Sequence, residues 1–183
     1  LLIAVPTREL VLQTSAVVRK LSFTSKFTTE AMVGGAWRPP QRSIDVPVGA
    51  LPAIVAAVRD GRIRLSECHA LAMDEADVLL SPELGFAEDA DALLGATPST
   101  AQIVMVGATA THRTAAFVRD AMARVRPPTK DKATGTTKPE FAEITSEDVG
   151  FVPQSVAFGL RRTYHYDKLP TLLTEVRRCI GGK

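Results

Sequence analysis

Short runs rich in aliphatic or β-branched side chains alternate along the chain with longer stretches of helical periodicity. The runs are residues 1–5, 28–33, 70–73 and 102–106. Their length and composition predict strands rather than helices. The run at residues 70–73 is apolar at every position, which is typical of a strand buried on both faces of a parallel sheet. We therefore predict an α/β fold, a parallel sheet flanked by helices.

The stretches between these runs predict helices. Pro6 marks the exit from the first strand, and Thr7 is a good N-cap for the helix that follows. Further helices are predicted over residues 54–58, 78–94 (with a break near residue 82), 113–125 and 169–180. The buried face of the first helix is predicted to consist of Leu10, Val17, Val18 and Leu21.

The composition changes after residue 125. Residues 126–150 contain proline, lysine, threonine and mixed acids with few large apolar side chains, which predicts a linker or mobile loop. Strand character returns over residues 156–166, before the last helix. We therefore predict a domain over residues 1–125, a linker over residues 126–150, and the start of a second domain over residues 151–183.

Three carboxylates follow the strand predicted at residues 70–73. Asp74 and Glu75 come directly after it, and Asp77 lies two residues further on. Ligands of open parallel sheets bind beyond the carboxyl ends of the strands. There, one carboxylate can hold Mg²⁺ through water while its neighbour activates a water that attacks a γ-phosphate. The structural alternative is an acidic helix start that complements the helix dipole.

Residues 74–77 read Asp-Glu-Ala-Asp, which resembles the motif that names the DEAD-box RNA helicases. Further segments resemble motifs of this family in the same order, and together they cover residues 1–125 and, more faintly, the tail. They are Pro6-Thr7-Arg8-Glu9-Leu10 with Gln13, which resembles motif Ia; Gly34-Gly35, which resembles the glycine doublet; and Gly107-Ala108-Thr109, which resembles the Ser-Ala-Thr motif III.

The resemblance implies a RecA-like P-loop NTPase fold and an ATP-dependent RNA helicase, which hydrolyses ATP with Mg²⁺ to unwind or remodel RNA. It implies that Asp74 holds Mg²⁺ through water and that Glu75 activates the attacking water, so both would lie against the nucleotide. It implies that Asp77 with Thr109 couples hydrolysis to RNA. The RNA contacts it implies go to the phosphate backbone, without sequence specificity. The implied RNA-binding residues are Pro6, Thr7, Arg8, Gly34 and Gly35.

The chain departs from the family pattern in the segment at residues 48–54. The family sequence Val-Gly-Thr-Pro-Gly-Arg-Leu corresponds here to Val-Gly-Ala-Leu-Pro-Ala-Ile. Ala50 lacks the threonine hydroxyl and Ala53 lacks the arginine guanidinium, so two phosphate contacts are expected to be absent. Either RNA binding is weaker, or nearby arginines substitute, or these arginines are an ordinary solvated helix end. The arginines concerned are Arg59, Arg62 and Arg64.

A second departure lies in the segment that resembles motif III. Gly107 replaces the usual serine and cannot supply its hydroxyl, whereas Thr109 retains one that could reach Asp77. We therefore expect weaker coupling between hydrolysis and strand separation than the family shows.

No Gly-rich phosphate loop occurs in the sequence. The resemblance implies that this loop and the first strand lie upstream of Leu1, and that most of the second domain lies beyond Lys183. The chain alone is therefore expected to be a poor ATPase or none, although the parent protein is expected to be an enzyme. Two alternatives stay open: a catalytically inactive RNA-binding or scaffold remnant of the same fold, and an unrelated Mg²⁺-dependent NTPase.

The composition restricts the number of domains and the kinds of site, but it does not indicate a function. The 183 residues suit one domain with the start of a second, and a net charge of +2 does not by itself indicate nucleic acid. Cys68 and Cys179 are far apart in sequence and suggest neither a disulfide framework nor a zinc site.

The sequence also bears on where the protein is found. We expect a reducing intracellular environment, and the sequence does not distinguish among nucleus, cytoplasm and organelle. No apolar run approaches the roughly 20 residues of a membrane span, so no membrane partner is expected.

Overall fold

The four predicted runs form strands of one parallel sheet, together with a fifth strand over Val46–Ala50 that was not predicted. In the computed structural model, each pair of neighbouring strands is parallel, and the spatial order is β2-β3-β1-β4-β5. This confirms the α/β fold with a parallel sheet. The strands are β1 (Leu2–Val5), β2 (Thr29–Met32), β3 (Val46–Ala50), β4 (Ala70–Met73) and β5 (Gln102–Met105).

The structure describes residues 1–34, 37–40, 43–108, 112–125, 129–130, 137–138, 141–144 and 162–181. The chain divides into two compact units, Leu1–Gly150 and Phe151–Lys183, which are described separately. The first unit contains the helices α1 (Arg8–Ser25), α2 (Leu51–Arg59), α3 (Ala76–Leu79), α4 (Ala87–Ala96) and α5 (His112–Val125). The second unit contains a 3₁₀ turn (His165–Asp167) and α6 (Lys168–Gly181).

Side chains of successive strand residues enter two different hydrophobic clusters, because they point to opposite faces of the sheet. In β1, Leu2 and Ala4 belong to the larger cluster, whereas Val5 belongs to the smaller one. The larger cluster lies among α2, α3, α4 and α5, and the smaller one lies beneath α1. Helices therefore cover both faces of the sheet, as we predicted.

The prediction for the buried face of α1 was partly wrong. Val18 is buried, but Val17 and Leu21 are 57% and 58% exposed. The buried positions are instead Val11, Ser15 and Val18, which follow one another at intervals of four and three residues. Ser15 is only 4% exposed, so a polar residue occupies the middle of the buried stripe.

Two other sequence predictions differ in detail from the structure. Within residues 126–150, predicted as a linker or loop, β6 (Thr129–Lys130) pairs antiparallel with β7 (Thr137–Lys138). Residues 151–161, which include most of the strand predicted over 156–166, lie outside the described part of the chain. The remaining residues of that prediction do not form a strand, because residues 165–167 form the 3₁₀ turn.

The Asp45 side chain fastens the start of β2 to the start of β3. Its Oδ2 accepts hydrogen bonds from the Thr28 backbone N–H and from the Thr28 hydroxyl, both at 2.7 Å. These two bonds, the backbone one first, hold the pKa of Asp45 below its ordinary value, because they stabilise the charged carboxylate. The side chain of Asp45 thus joins β2 and β3 at their amino ends, whereas Gly34 and Ala50 lie at the carboxyl ends of these strands.

Among the described helices, none combines the length and the apolar character that a membrane crossing requires.

Gly49 tests how tightly the larger cluster is packed. A β-carbon added there would lie 2.8 Å from Ile54 Cγ1 and 3.1 Å from Met32 Cβ, both on fully buried side chains. Gly49→Ala is therefore expected to destabilise the fold by about 1–3 kcal/mol, measured by urea unfolding. The matched control is Gly95→Ala in α4, where nothing lies within 4 Å and a gain of up to about 1 kcal/mol is expected. An unchanged urea midpoint for Gly49→Ala would contradict this packing.

Candidate functional site

The segments with candidate chemistry all lie at one edge of the sheet. Because all five strands are parallel, their carboxyl ends meet at this edge, where open α/β sheets bind ligands. This agrees with the location that the sequence predicted for the acids. Following the spatial order β2-β3-β1-β4-β5, the strands end next to Gly34, Ala50, Pro6-Thr7, Asp74-Glu75 and Gly107.

The acidic turn after β4 is fixed to the strands on both sides of it. The Asp74 backbone N–H donates to the Ala4 carbonyl of β1 at 3.0 Å. The Ala76 N–H donates to the carbonyl of Val106, just after β5, at 2.8 Å. The turn cannot shift along the sheet without breaking these bonds, so the carboxylates of Asp74 and Glu75 start from a defined backbone position.

Glu75 has a left-handed backbone conformation, with φ 52° and ψ 46°. This conformation costs a residue with a β-carbon about 1–2 kcal/mol relative to the right-handed region. Its N–H donates to Asp74 Oδ1 at 3.0 Å, and its carbonyl accepts from Val78 and Leu79, which starts α3. The half-buried Glu75 is therefore held in a strained conformation, a feature that clusters at functional sites.

Asp77 lies against the backbone of Gly107. A β-carbon added to Gly107 would lie 2.9 Å from Asp77 Oδ1 and 3.2 Å from Asp77 Cγ. The Asp77 carboxyl group thus occupies space that a serine side chain at position 107 would need. A serine at position 107 would therefore require the Asp77 carboxyl group to move. Thr109, which we expected near Asp77, lies outside the described residues.

The start of α1 presents exposed polar groups at the same edge. Thr7 is the N-cap, as predicted, and its Oγ1 accepts from the Leu10 N–H at 3.3 Å. Thr7 and Arg8 are exposed, whereas Pro6 is buried. The Thr7 hydroxyl proton is not used by the cap and can donate to a phosphate oxygen, as can the free N–H groups of the first helical turn.

Gly34 follows β2 with φ 85°, a left-handed conformation that favours glycine. An added β-carbon would meet nothing within 4 Å, so the backbone conformation and not crowding explains this glycine. Gly34 accepts a hydrogen bond from the Trp37 N–H at 3.2 Å, which closes a turn. Gly35 lies outside the described residues.

An internal contact that sequence reasoning missed supports this turn. The Arg62 guanidinium donates to the Trp37 carbonyl and forms an ion pair with Asp60 at 2.7 Å. The Arg62 side chain is only 17% exposed, and the Trp37 side chain packs against the larger cluster. Arg62 therefore joins the segment after β2 to the end of α2. Of the alternatives considered above, it is neither a solvated residue at a helix end nor a free cation for RNA. Arg59, in contrast, is 69% exposed and 3.9 Å from Asp89.

No group of three or more histidine, cysteine or acidic side chains in the described residues could by itself hold a metal ion. Asp74 and Glu75 supply only carboxylate oxygens, the ligands that Mg²⁺ prefers. A site with one or two carboxylates suits Mg²⁺ that is also bound by water and phosphate oxygens, and does not suit a metal caged by protein alone.

Comparison with known sequences identifies the family. Residues 1–118 match the sequence profile of the DEAD/DEAH box helicases. The chain belongs to this family. It is 37% identical over 112 residues to DEAD-box ATP-dependent RNA helicase 8 of Oryza sativa subsp. japonica, with 58% of this chain and 22% of the relative covered. It is 40% identical over 113 residues to the ATP-dependent RNA helicase DHH1 of Kluyveromyces lactis, with 59% and 22% covered.

Solved structures confirm the RecA-like helicase fold. Dbp5 of S. cerevisiae bound to RNA and ADP BeF3 superposes with a TM-score of 0.60 at 24% identity, over 66% of this chain and 31% of that chain. A hypothetical ATP-dependent RNA helicase from Sulfolobus tokodaii superposes with a TM-score of 0.55 at 26% identity, over 66% and 38%. The chain spans about a fifth of the length of the curated relatives it matches, 22% in both cases above.

The contact between Gly107 and Asp77 predicts a specific energetic coupling. Gly107→Ala is expected to destabilise the fold by about 1–3 kcal/mol, because the new methyl group displaces the Asp77 carboxyl. In an Asp77→Ala background, where that carboxyl is absent, the same change is expected to cost less than about 0.5 kcal/mol. Urea unfolding of the four proteins of this double-mutant cycle measures the difference. Equal costs in the two backgrounds would show that the two residues do not compete for space.

Proposed function

We propose that this chain forms part of the first RecA-like domain of an ATP-dependent RNA helicase, which couples RNA-stimulated ATP hydrolysis to unwinding or remodelling of RNA. The observation that carries the proposal is the fixed acidic turn at Asp74-Glu75, one strand away from the exposed start of α1 at Thr7-Arg8. In this proposal, a site for phosphate chemistry and a site for an RNA phosphate backbone would be adjacent on one sheet edge. Relatives that carry the name ATP-dependent RNA helicase support the same function.

The acids fit the proposed chemistry. Asp74 would hold Mg²⁺ through water, and the bound ion would neutralise charge on the phosphate oxygens of ATP. Glu75, a half-buried residue whose backbone N–H donates to Asp74 Oδ1, would accept a proton from the attacking water. Asp77, packed against Gly107, would pass the state of this site to Thr109 and the RNA side.

The RNA side of the edge would consist of the segments after β1 and β2. Thr7 and Arg8 would donate hydrogen bonds to RNA phosphates, with Pro6 setting the turn before them, and the backbone at Gly34 and Gly35 would approach another phosphate. Such contacts give affinity without sequence specificity. The end of β3 lies between these segments, and Ala50 and Ala53 offer no side-chain donor there. We therefore propose a weakened contact in the middle of the RNA site.

Glu75→Gln tests the catalytic part of the proposal. In a protein that joins this chain to the phosphate loop that the proposal requires, this change is expected to lower RNA-stimulated ATP turnover by at least about 100-fold, because the general base is lost. RNA affinity is expected to stay unchanged. Glu88→Gln, at an exposed position of α4, is the matched control and is expected to retain turnover. RNA binding without ATP turnover in the unmodified protein would instead favour the inactive RNA-binding remnant.

Ala53→Arg tests the proposed gap in the RNA site. Restoring a guanidinium on the first turn of α2 is expected to raise affinity for single-stranded RNA by about threefold to tenfold, the worth of one charge-assisted hydrogen bond. Fluorescence anisotropy at fixed salt measures it. Ala56→Arg adds the same charge one turn further from the sheet edge and is expected to have a smaller effect. An equal gain from both variants would indicate general attraction and not a specific contact.

A further inference from the structure

Both tyrosines of the chain lie together in the second unit. Tyr164 and Tyr166 are its only two tyrosines. Their rings stack on each other, with centroids 5.7 Å apart and planes within 4° of parallel. The two residues are nevertheless 71% and 77% exposed. Since the rings cover only one face of each other, this exposure means that their outer faces meet solvent.

The stacked pair has a defined backbone position. Tyr164 precedes the 3₁₀ turn and Tyr166 lies within it, directly before α6. The Asp167 N–H donates to the Tyr164 carbonyl at 3.0 Å, which closes this turn. A flat ring held this way loses little conformational entropy when another flat group stacks on it.

A cleft beside Tyr164 brings charge next to the aromatic ring. Its volume is about 430 Å³, and it is lined by Arg162, Tyr164, Asp167, Thr171 and Glu175 among others. The Arg162 guanidinium suits a phosphate, and the ring suits a nucleobase. A carboxylate in the same cleft can accept a hydrogen bond from a ribose 2′-hydroxyl, the group that distinguishes RNA from DNA.

We propose that Tyr164 and Arg162 form a binding site for one nucleotide of single-stranded RNA, with the base on the tyrosine ring, the phosphate on the guanidinium and the ribose facing Asp167. The strand must be single, because bases in a duplex have both faces covered by their neighbours. The choice of RNA as the polymer rests on the proposed function. Every residue in this site belongs to the second unit, and the segments at the sheet edge belong to the first.

The test measures binding of 5′-fluorescein-labelled octauridylate to the 183-residue chain by fluorescence anisotropy, without ATP. Tyr164→Ala is expected to weaken binding by about tenfold, the effect of losing one base stack. Tyr164→Phe keeps the ring and is expected to retain the affinity. Arg162→Gln is expected to weaken binding and to reduce the slope of log K against log salt by about one. The matched control is Phe23→Ala, which removes an 81% exposed ring from α1 and is expected to change nothing.

A second readout uses the tyrosines directly. Nitration by tetranitromethane modifies exposed tyrosine rings, and octauridylate is expected to slow it several-fold, whereas a blunt RNA duplex of eight base pairs is not. Equal nitration rates with and without octauridylate would overturn the proposal.

The same titrations separate this proposal from the proposed function. Arg8→Ala removes the side chain that is proposed to donate hydrogen bonds to an RNA phosphate at the sheet edge. Its effect on octauridylate affinity therefore tests the sheet-edge site. If Arg8→Ala weakens binding while Tyr164→Ala does not, the tyrosine site is overturned and the sheet-edge site stands. If Tyr164→Ala weakens binding while Arg8→Ala does not, the tyrosine site stands and the RNA part of the proposed function fails. Absence of octauridylate binding by the unmodified chain would overturn both.

Discussion

Two main-chain hydrogen bonds at the end of β4 define the geometry of the candidate site. They run from Asp74 to Ala4 and from Ala76 to Val106, and they join the acidic turn to the strands on both sides. Main-chain bonds do not depend on which side chains surround them, so the turn position follows from the strand order alone. The strain at Glu75 is tolerated because the residues before and after it are fixed in this way. A looser connection would let the turn relax to an ordinary helix start.

The strand order also determines which of the segments at the carboxyl ends of the strands are neighbours. β1 lies between β3 and β4, so the segment that begins at Thr7 is next to the acids on one side and next to Ala50 on the other. β1 and β4 are neighbours, so only one strand boundary separates the proposed phosphate site at Asp74 from the proposed RNA contacts at Thr7. The segment after β2 is further away and depends on a different support, the contact from Arg62 to the Trp37 carbonyl.

The sequence predicted four of the five strands and the edge that carries the site, because short buried strands and their parallel connection follow from local composition and chain topology. It did not predict β3, whose sequence contains Pro47 and Gly49, two residue types that argue against a strand. It did not predict which side of α1 is buried, because several adjacent apolar residues allow more than one helical stripe. The burial of Ser15 was not predicted either, because the prediction rested on the spacing of apolar residues and serine is polar. The bond between Arg62 and Trp37 joins residues 25 positions apart, and nothing local to either residue signals it. The family resemblance did place Asp77 near residues 107–109, but not the close approach of its carboxyl group to the Gly107 backbone, which exists only in the folded chain.

The left-handed backbone at Glu75 links stability and the proposed chemistry at a single position. Glycine would avoid the steric cost there, and asparagine would reduce it. Replacing Glu75 by glycine would therefore relieve the strained backbone and remove the carboxylate at the same time. If Glu75 is the general base that we propose, a more stable chain and a less active one would arise from the same substitution.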